Sequence, residues 1–394
     1  MRIGLNCIDV NPDYVGGVNT YVLGIVTGLH QLKNNHSLQI YVTSLNRHVF
    51  QNFEEKGRVE LFEFPVPLKA RNLSWKAFRV GIPFLYEWVV DFSYAKIRSV
   101  IEKNSDVIYT PTSNSLYYKS NIPSVLSMHD IQHDHFPEFF SELELKRRKM
   151  TYHSSAKHAH YLQASSRYIK EDFMSHFSFL KADQIFVISE GVNNDIFKTT
   201  VIDTSVLDKY KIPKKYLFYP AQLWHHKNHL HLLNALIKVK EKTGISFPLV
   251  LTGQKFSASE QIFKYIEDNK LTDVLYLGKV PLQDLISIYH NATIVVTTSL
   301  HESSSLPIFE AAASGTAIVA SNIPPNVETA EHLSINIFER DSVDSLAETL
   351  VKVWNDEELR KEQISHNLKT IDIYSWKNIA LQYVSAFEKI YKTL

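Results

Sequence analysis

The chain has 394 residues, with 42 basic and 42 acidic side chains and a formal net charge of +0. An apolar fraction of 44% with 21% charged residues is globular composition, which rules out a disordered chain; the length suits two or three domains of a typical ~150 residues. Without excess Lys and Arg there is little counterion release to drive nonspecific nucleic-acid binding, and one cysteine, Cys7, excludes a disulfide framework and a multi-cysteine metal site.

The first residues, Met1 to Asp9, hold no long apolar run and reach an acid at Asp9, so they do not read as a signal peptide. No run of about 18 apolar residues follows, so no spanning helix is predicted. The expectation is a cytoplasmic protein, with peripheral contact at the inner face of a membrane left open.

Strands are predicted at Arg2–Cys7, Leu38–Val42, Asp106–Tyr109, Ser124–Met128 and Ile185–Ile188. A second set follows at Tyr216–Tyr219, Phe247–Leu251, Val274–Leu277, Ala292–Thr297, Ala317–Ala320 and Ile335–Phe338. Helical periods lie between them. Val18, Tyr21, Val22, Ile25, Val26 and Leu29 share one face, as do Leu230, Leu233, Leu236 and Ile237. Strand–helix alternation in two sets predicts two α/β domains, each a doubly wound parallel sheet. The polar stretch from Asn194 to Lys214 is the expected boundary, giving domains at 1–198 and 199–375 and a closing amphipathic helix at 376–394. Two such domains facing each other leave a central cleft, and ligands bind these sheets beyond the carboxyl ends of the strands.

Residues just after strands therefore carry the functional reading. Missing motifs narrow it: no Gly-x-Gly-x-x-Gly after a strand, no P-loop and no Gly-x-Ser-x-Gly elbow. The richest stretch runs from Ser299 to Thr316. It follows a buried strand and opens a helix near Ser305, where Ser suits the cap and Pro307 the first turn. The helix start offers N–H groups and a positive dipole end to a phosphate. Glu302 precedes that end and Glu310 follows it, seven residues lying between them. Carboxylates repel phosphate, so they are expected to face sugar hydroxyls. In isolation the same spacing also describes an ordinary capped helix.

With its surroundings, Glu302-Ser303-Ser304-Ser305-Leu306-Pro307-Ile308-Phe309-Glu310-Ala311-Ala312-Ala313-Ser314-Gly315 resembles the signature of the retaining glycosyltransferases of family four, which have the GT-B fold. Glu302, Leu306, Pro307, Glu310, Ala311, Ala313 and Gly315 match it. The family's Gly-Phe-Gly is replaced by the three serines, which narrows the pocket. The resemblance implies that Glu302 contacts the donor sugar, that Glu310 binds the ribose hydroxyls, and that the backbone at Ser304, Ser305 and Leu306 approaches the donor. It also implies an N-terminal acceptor-binding domain, a C-terminal nucleotide-sugar-binding domain, and a last helix that crosses back to the first.

Other stretches extend it. Tyr14-Val15-Gly16-Gly17 follows the first strand, and the family's Gly-Gly loop borders donor diphosphate and acceptor, so Gly16 is expected at the acceptor and Gly17 at the donor. An ordinary glycine turn is the alternative. Lys227 opens a helix after the strand at Tyr216–Tyr219 and suits a diphosphate as a point charge. An arginine that the family places six residues earlier is Ala221 here, with Gln222, His225 and His226 as compensating donors. A solvated helix-start lysine is the plain alternative. His129-Asp130 ends the strand at Ser124–Met128; the resemblance sets His129 against donor sugar and acceptor, with Asp130 shaping the acceptor site. Read as chemistry alone, His129, Asp130, His133, Asp134 and His135 also suit a divalent metal, although no distal stretch completes a site. Gly278 and Val280 end another strand, where the family borders the nucleobase; UDP, GDP and ADP all remain open. Finally, Lys69, Arg71, Trp75, Lys76, Phe78, Arg79, Phe84, Tyr86 and Trp88 form a basic, aromatic segment suited to an anionic membrane surface, or to a helix packed on the core.

The resulting expectation is a retaining hexosyltransferase in polysaccharide or lipopolysaccharide assembly. His129, Glu302 and Lys227 are its catalytic set. GDP-mannose is the favoured donor, with a UDP-sugar as alternative, and a saccharide or lipid-linked saccharide is the acceptor. No cofactor or metal is called for. The rivals are a non-hydrolysing nucleotide-sugar 2-epimerase and a noncatalytic nucleotide-sugar-binding subunit.

Overall fold

A computed structural model describes residues 1–12, 16–113, 119–199 and 203–392. The chain divides into two compact units: Met1–Glu190 with Trp376–Leu394, and Gly191–Ser375.

In the first unit a seven-stranded sheet is built from β1 (Arg2–Asn6), β2 (Ser37–Thr43), β3 (Val59–Phe64), β4 (Val107–Thr110), β5 (Ser124–Ser127), β6 (Tyr161–Ala164) and β7 (Ile185–Val187). Its order is β3-β2-β1-β4-β5-β6-β7, with every named pair parallel. β4, and β1 and β2 beyond their first residues, are buried throughout, as expected of strands covered on both faces by crossover helices. The Gly17–Gln31 helix covers one face through Tyr21, Val22, Ile25, Val26 and Leu29. The Trp376–Tyr391 helix adds Trp376, Ile379, Tyr383, Phe387 and Ile390 to the same core.

β3 and β6 were not foreseen. β3 is an edge strand that exposes Glu60 and Glu63, three residues apart and so on opposite faces, which leaves neither an apolar run nor a clean alternation. β6 carries Gln163 inward, where its amide donates to Ile188 O at 2.6 Å, and that buried polar residue breaks the apolar run.

The second unit repeats the design with β8 (Leu217–Pro220), β9 (Leu249–Thr252), β10 (Val274–Tyr276), β11 (Ile294–Thr297), β12 (Ala317–Ser321) and β13 (Asn336–Phe338). The order is β10-β9-β8-β11-β12-β13, again parallel at each named pair. The first unit stops at Glu190, not at residue 198. Val192, Phe197, Val206 and Ile212 are buried in the second unit's core, so the polar stretch read as a linker packs as short helices, Asn194–Thr199 and Ser205–Tyr210. No described helix is long and apolar enough to cross a membrane.

Candidate active site

In the second sheet the strand order reverses between β8 and β11. Loops leaving the carboxyl ends of strands at such a point form a ligand crevice. After β8 the chain makes a short turn of helix, His225–Lys227, and Asn228 takes a left-handed conformation (φ 54) before the His229–Thr243 helix begins. The carbonyl of Lys227 accepts from Tyr219 Oη at 2.7 Å and from Thr298 Oγ1 at 3.0 Å, which ties the turn to both central strands. Leu300 N donates to His226 O at 2.7 Å and docks the loop after β11 against it.

This docking brings Lys227 and Glu302 together. Nζ lies 2.5 Å from Oε1, with side-chain exposures of 17% and 13%. Ser299 Oγ donates to the same oxygen at 2.6 Å. The two residues were expected at different parts of a ligand, the lysine at phosphate and the acid at sugar. In the structure they form one half-buried ion pair, and a charge-assisted bond of this kind is worth about 1.5–3 kcal/mol.

The next helix is Leu306–Ala313, with Pro307 in its first turn. Ser305 precedes it, but its side chain does not cap it. Its hydroxyl donates to Asn326 Oδ1 at 2.8 Å, and Asn326 Nδ2 donates to Ser321 O at 3.0 Å. Ser305 thus anchors the helix to the chain after β12. Ser304 is half-buried beside it, and Leu306 packs at the rim of the core.

Glu310 does not join the Lys227–Glu302 pair. Its Oε2 accepts from Tyr289 Oη at 2.5 Å. Burial pushes the Glu310 carboxyl up to about 7, and the Tyr289 bond pulls the other way. His229 is buried behind the turn, where loss of water and the neighbouring Lys227 hold its imidazole low, at about 3, and therefore neutral.

Gln222 Oε1 accepts from Gln254 N at 2.9 Å, which joins the loops after β8 and β9. There Gly253 sits at φ +127, and a Cβ would fall 2.3 Å from Ala221 O, so a side chain at this position would collide with the loop. Gly278 turns left-handed (φ 68) after β10, and its carbonyl accepts from Gly253 N at 2.9 Å. Val280 packs at the edge of the core.

In the first unit the reversal lies between β1 and β4. Gly16 is extended (φ −179) and Gly17 opens the helix after β1; Tyr14 and Val15 of the same motif lie outside the described residues. His129, after β5, has φ 62, and Asp130 N reaches back to Met128 O at 2.9 Å. A non-glycine residue in so tight a turn is strained, a feature that concentrates at functional sites. The ring is fixed from several sides. Nε2–H donates to Pro111 O at 3.2 Å, Tyr21 packs edge-on with centroids 5.0 Å apart, and Nδ1 lies 3.9 Å from buried Glu190. Burial lowers the His129 pKa, so the imidazole is neutral at neutral pH. Asp130 Oδ1 accepts from Gln132 N at 3.1 Å and starts the short Gln132–His135 helix.

Among the described residues no group of three or more His, Cys, Asp or Glu side chains is placed to hold an ion. His135 turns to Asp172 at 2.8 Å, while His133 stacks edge-on to Tyr152. Sequence reasoning missed Tyr219, Tyr289, Ser299 and Asn326. Each reads as a core or turn residue, and only the fold sets its hydroxyl or amide against a candidate site residue.

Two parallel doubly wound units, with charged loops at a reversal of strand order, define the class: a two-Rossmann α/β protein of the GT-B fold. Residues 15–196 match Glycosyltransferase Family 4 and residues 207–370 match Glycosyl transferases group 1. The chain belongs to this family of glycosyltransferases. O-antigen chain mannosyltransferase B of Escherichia coli is 24% identical over 268 residues, 67% of this chain and 70% of that protein. The serotype-specific mannosyltransferase WbdA of Escherichia coli is 26% identical over 242 residues, 54% of this chain, which spans only 29% of WbdA. Among solved structures, Anabaena HepE in complex with UDP and glucose aligns with a TM-score of 0.71 and 17% identity, over 99% of this chain and 100% of that one.

Proposed function

We propose that the protein transfers a hexose, with mannose favoured, from a nucleotide sugar to a saccharide or lipid-linked saccharide in polysaccharide or lipopolysaccharide assembly. The second unit holds the donor and the first binds the acceptor. The observation that carries the reading is the Lys227–Glu302 pair at the strand reversal, just ahead of the Leu306–Ala313 helix. A lysine and a helix N-terminus at one place suit a departing diphosphate. The paired carboxylate suits the hydroxyls of the attached sugar. The names of the mannosyltransferase relatives support mannose, and the UDP of the HepE complex supports a nucleotide donor.

The proposed reaction proceeds with retention. The bond from the anomeric carbon to the β-phosphate oxygen breaks, the acceptor oxygen bonds to that carbon on the same face, and the acceptor proton passes to the departing phosphate oxygen. Lys227, released from Glu302 by the entering donor, neutralises the leaving diphosphate. Neutral His129 hydrogen-bonds a sugar hydroxyl, and Glu310 accepts from the ribose. The scheme asks for no metal, so a chelator is expected to leave the rate unchanged. A lipid-linked acceptor places the protein in the cytoplasm, at the inner face of the membrane.

The test is a thermal-shift screen of GDP, UDP, ADP and their sugars, followed by turnover with saccharide acceptors and anomer assignment of the product. GDP-mannose is expected to raise the melting temperature and to be consumed with an acceptor. Lys227→Ala is expected to cut turnover by about a hundredfold or more while the fold persists, the loss for one group that stabilises a transition state. Full activity in that variant would overturn the site. A noncatalytic role is favoured by Ala221, where no cation supplements Lys227; nucleotide binding without turnover on any acceptor would assign it.

A further inference from the structure

Helices Leu68–Val80 and Pro83–Ser93 form a hairpin in the first unit, turned at Gly81 (φ 77). Its inner face holds Ala77, Phe78, Tyr86, Val89 and Val90, which pack with Ile8, Tyr41 and Tyr94. Phe78 and Tyr86, grouped with the exposed aromatics in the sequence, are therefore core residues.

The outer face is apolar. Phe84, Trp88 and Phe92 recur at four-residue spacing along the second helix and are 78%, 54% and 68% exposed. Ile82 stands at the turn, 52% exposed. On the first helix Lys69, Leu73, Lys76 and Val80 share one face and are all exposed, with Arg79 beside them. The only acids between residues 66 and 93 are engaged elsewhere: Glu87 with His158 at 3.1 Å and Ser154 at 3.0 Å, and Asp91 with Arg98. The face thus presents rings and aliphatics interleaved with cations and no exposed carboxylate of its own.

We infer that this hairpin is a docking surface for an anionic lipid bilayer. A contiguous apolar face on a water-exposed hairpin marks an interaction site. Its chemistry selects the partner. Protein interfaces exclude lysine from their apolar centres, whereas here lysines alternate with Leu73 and Val80. Rings and aliphatic side chains that enter the acyl boundary, with cations at the headgroups, are the composition of an interfacial helix. The inference deepens the lipid-linked acceptor reading, but its test involves no sugar chemistry, so either can fail without the other.

The experiment is co-sedimentation of the full chain with vesicles of phosphatidylcholine alone and of phosphatidylcholine mixed equally with phosphatidylglycerol, at low and high salt. Binding is expected to the anionic vesicles and to weaken with salt. Lys76→Glu/Arg79→Glu is expected to weaken it by about thirty-fold or more, from two cations worth about 1 kcal/mol each. Phe84→Ser/Trp88→Ser is expected to abolish it. Both double variants are expected to keep the wild-type melting temperature, since these side chains lie outside the core. Wild-type protein that stays in the supernatant with anionic vesicles would overturn the inference, as would equal binding by both variants. If light scattering instead showed a dimer that Phe84→Ser/Trp88→Ser dissolves, with no vesicle binding, the face would belong to self-association and the bilayer would be refuted.

Discussion

Glu310 shows how one hydrogen bond and burial set the behaviour of a carboxylate. Its folded pKa of about 7 lies above the ordinary 4.5. Between these values the folded state keeps a proton that the unfolded state has released. The group's contribution to stability is therefore complete below pH 4.5 and is lost as pH rises to 7, by at most about 3 kcal/mol. Solvent reaching the half-buried carboxyl reduces that figure. The ionised form is the better acceptor for ribose hydroxyls, so donor affinity is expected to run the other way and rise several-fold between pH 6 and about 8. Glu310→Gln is expected to flatten both trends. Melting temperature and donor KM measured across this range check it; a Gln variant that kept the wild-type slopes would assign the titration to another group. Lys227, Glu302 and Glu310 stood out in the sequence only through the resemblance of their surroundings to the family signature, since each alone also suits a capped or solvated helix start. The pairing of Lys227 with Glu302, and of Glu310 with Tyr289, was not legible there. The first depends on loops tens of residues apart, docked by Thr298 and Leu300 hydrogen bonds; the second joins two helices, Leu282–Asn291 and Leu306–Ala313, and no local pattern encodes either.

Among the elements, the Gly17–Gln31 helix carries Gly24 and Gly28 in its interior, and each costs roughly 0.5–1 kcal/mol relative to alanine. Packing explains their presence. A Cβ at Gly24 would lie 1.9 Å from the Trp376 indole, and one at Gly28 would lie 2.1 Å from the Trp376 carbonyl oxygen. The two glycines let the C-terminal helix press its first turn directly against this one. An indole can rotate, but a backbone carbonyl moves only with its helix. Gly28→Ala is therefore expected to destabilise the first unit by about 1–3 kcal/mol, as overpacking does, despite alanine's better helix propensity. Denaturant unfolding followed by tryptophan fluorescence checks this; a variant as stable as wild type would mean that the last helix shifts freely. Helix positions were legible from the apolar period at Tyr21, Val22, Ile25 and Leu29, and the central strands from unbroken apolar runs. β3 and β6 were hidden by Glu60, Glu63 and Gln163, polar residues whose tolerance depends on strand position in the sheet.

At the scale of the whole molecule, the chain completes its first unit only after its second. Trp376, Ile379, Tyr383, Phe387 and Ile390 are buried in the core of the first unit; the amphipathic spacing of the last helix was visible in the sequence, and its return to the first domain was implied by the family resemblance, not by the spacing. Its contribution is polar as well. Tyr383 Oη bonds Tyr21 Oη and lies 3.2 Å from Tyr109 Oη, in a buried cluster that Ser127 and Gln163 extend through a 2.6 Å bond. Removing the helix would expose the apolar faces of Tyr21, Ile25 and Tyr109 and leave the hydroxyl cluster short of a partner. Five large side chains at about 1.5–3 kcal/mol each amount to roughly 10 kcal/mol, which is the whole stability of an ordinary domain. The core of the second unit, in contrast, uses no described residue beyond Tyr374. Truncation after Ser375 is thus expected to abolish folding of the first unit and to leave the second with its own cooperative transition, since separate cores unfold separately. Calorimetry would then show one transition in place of two, and limited proteolysis would spare a fragment near 191–375 while degrading the rest. A truncated chain that kept both transitions would show that the sheet of the first unit is stable without the helix that returns to it.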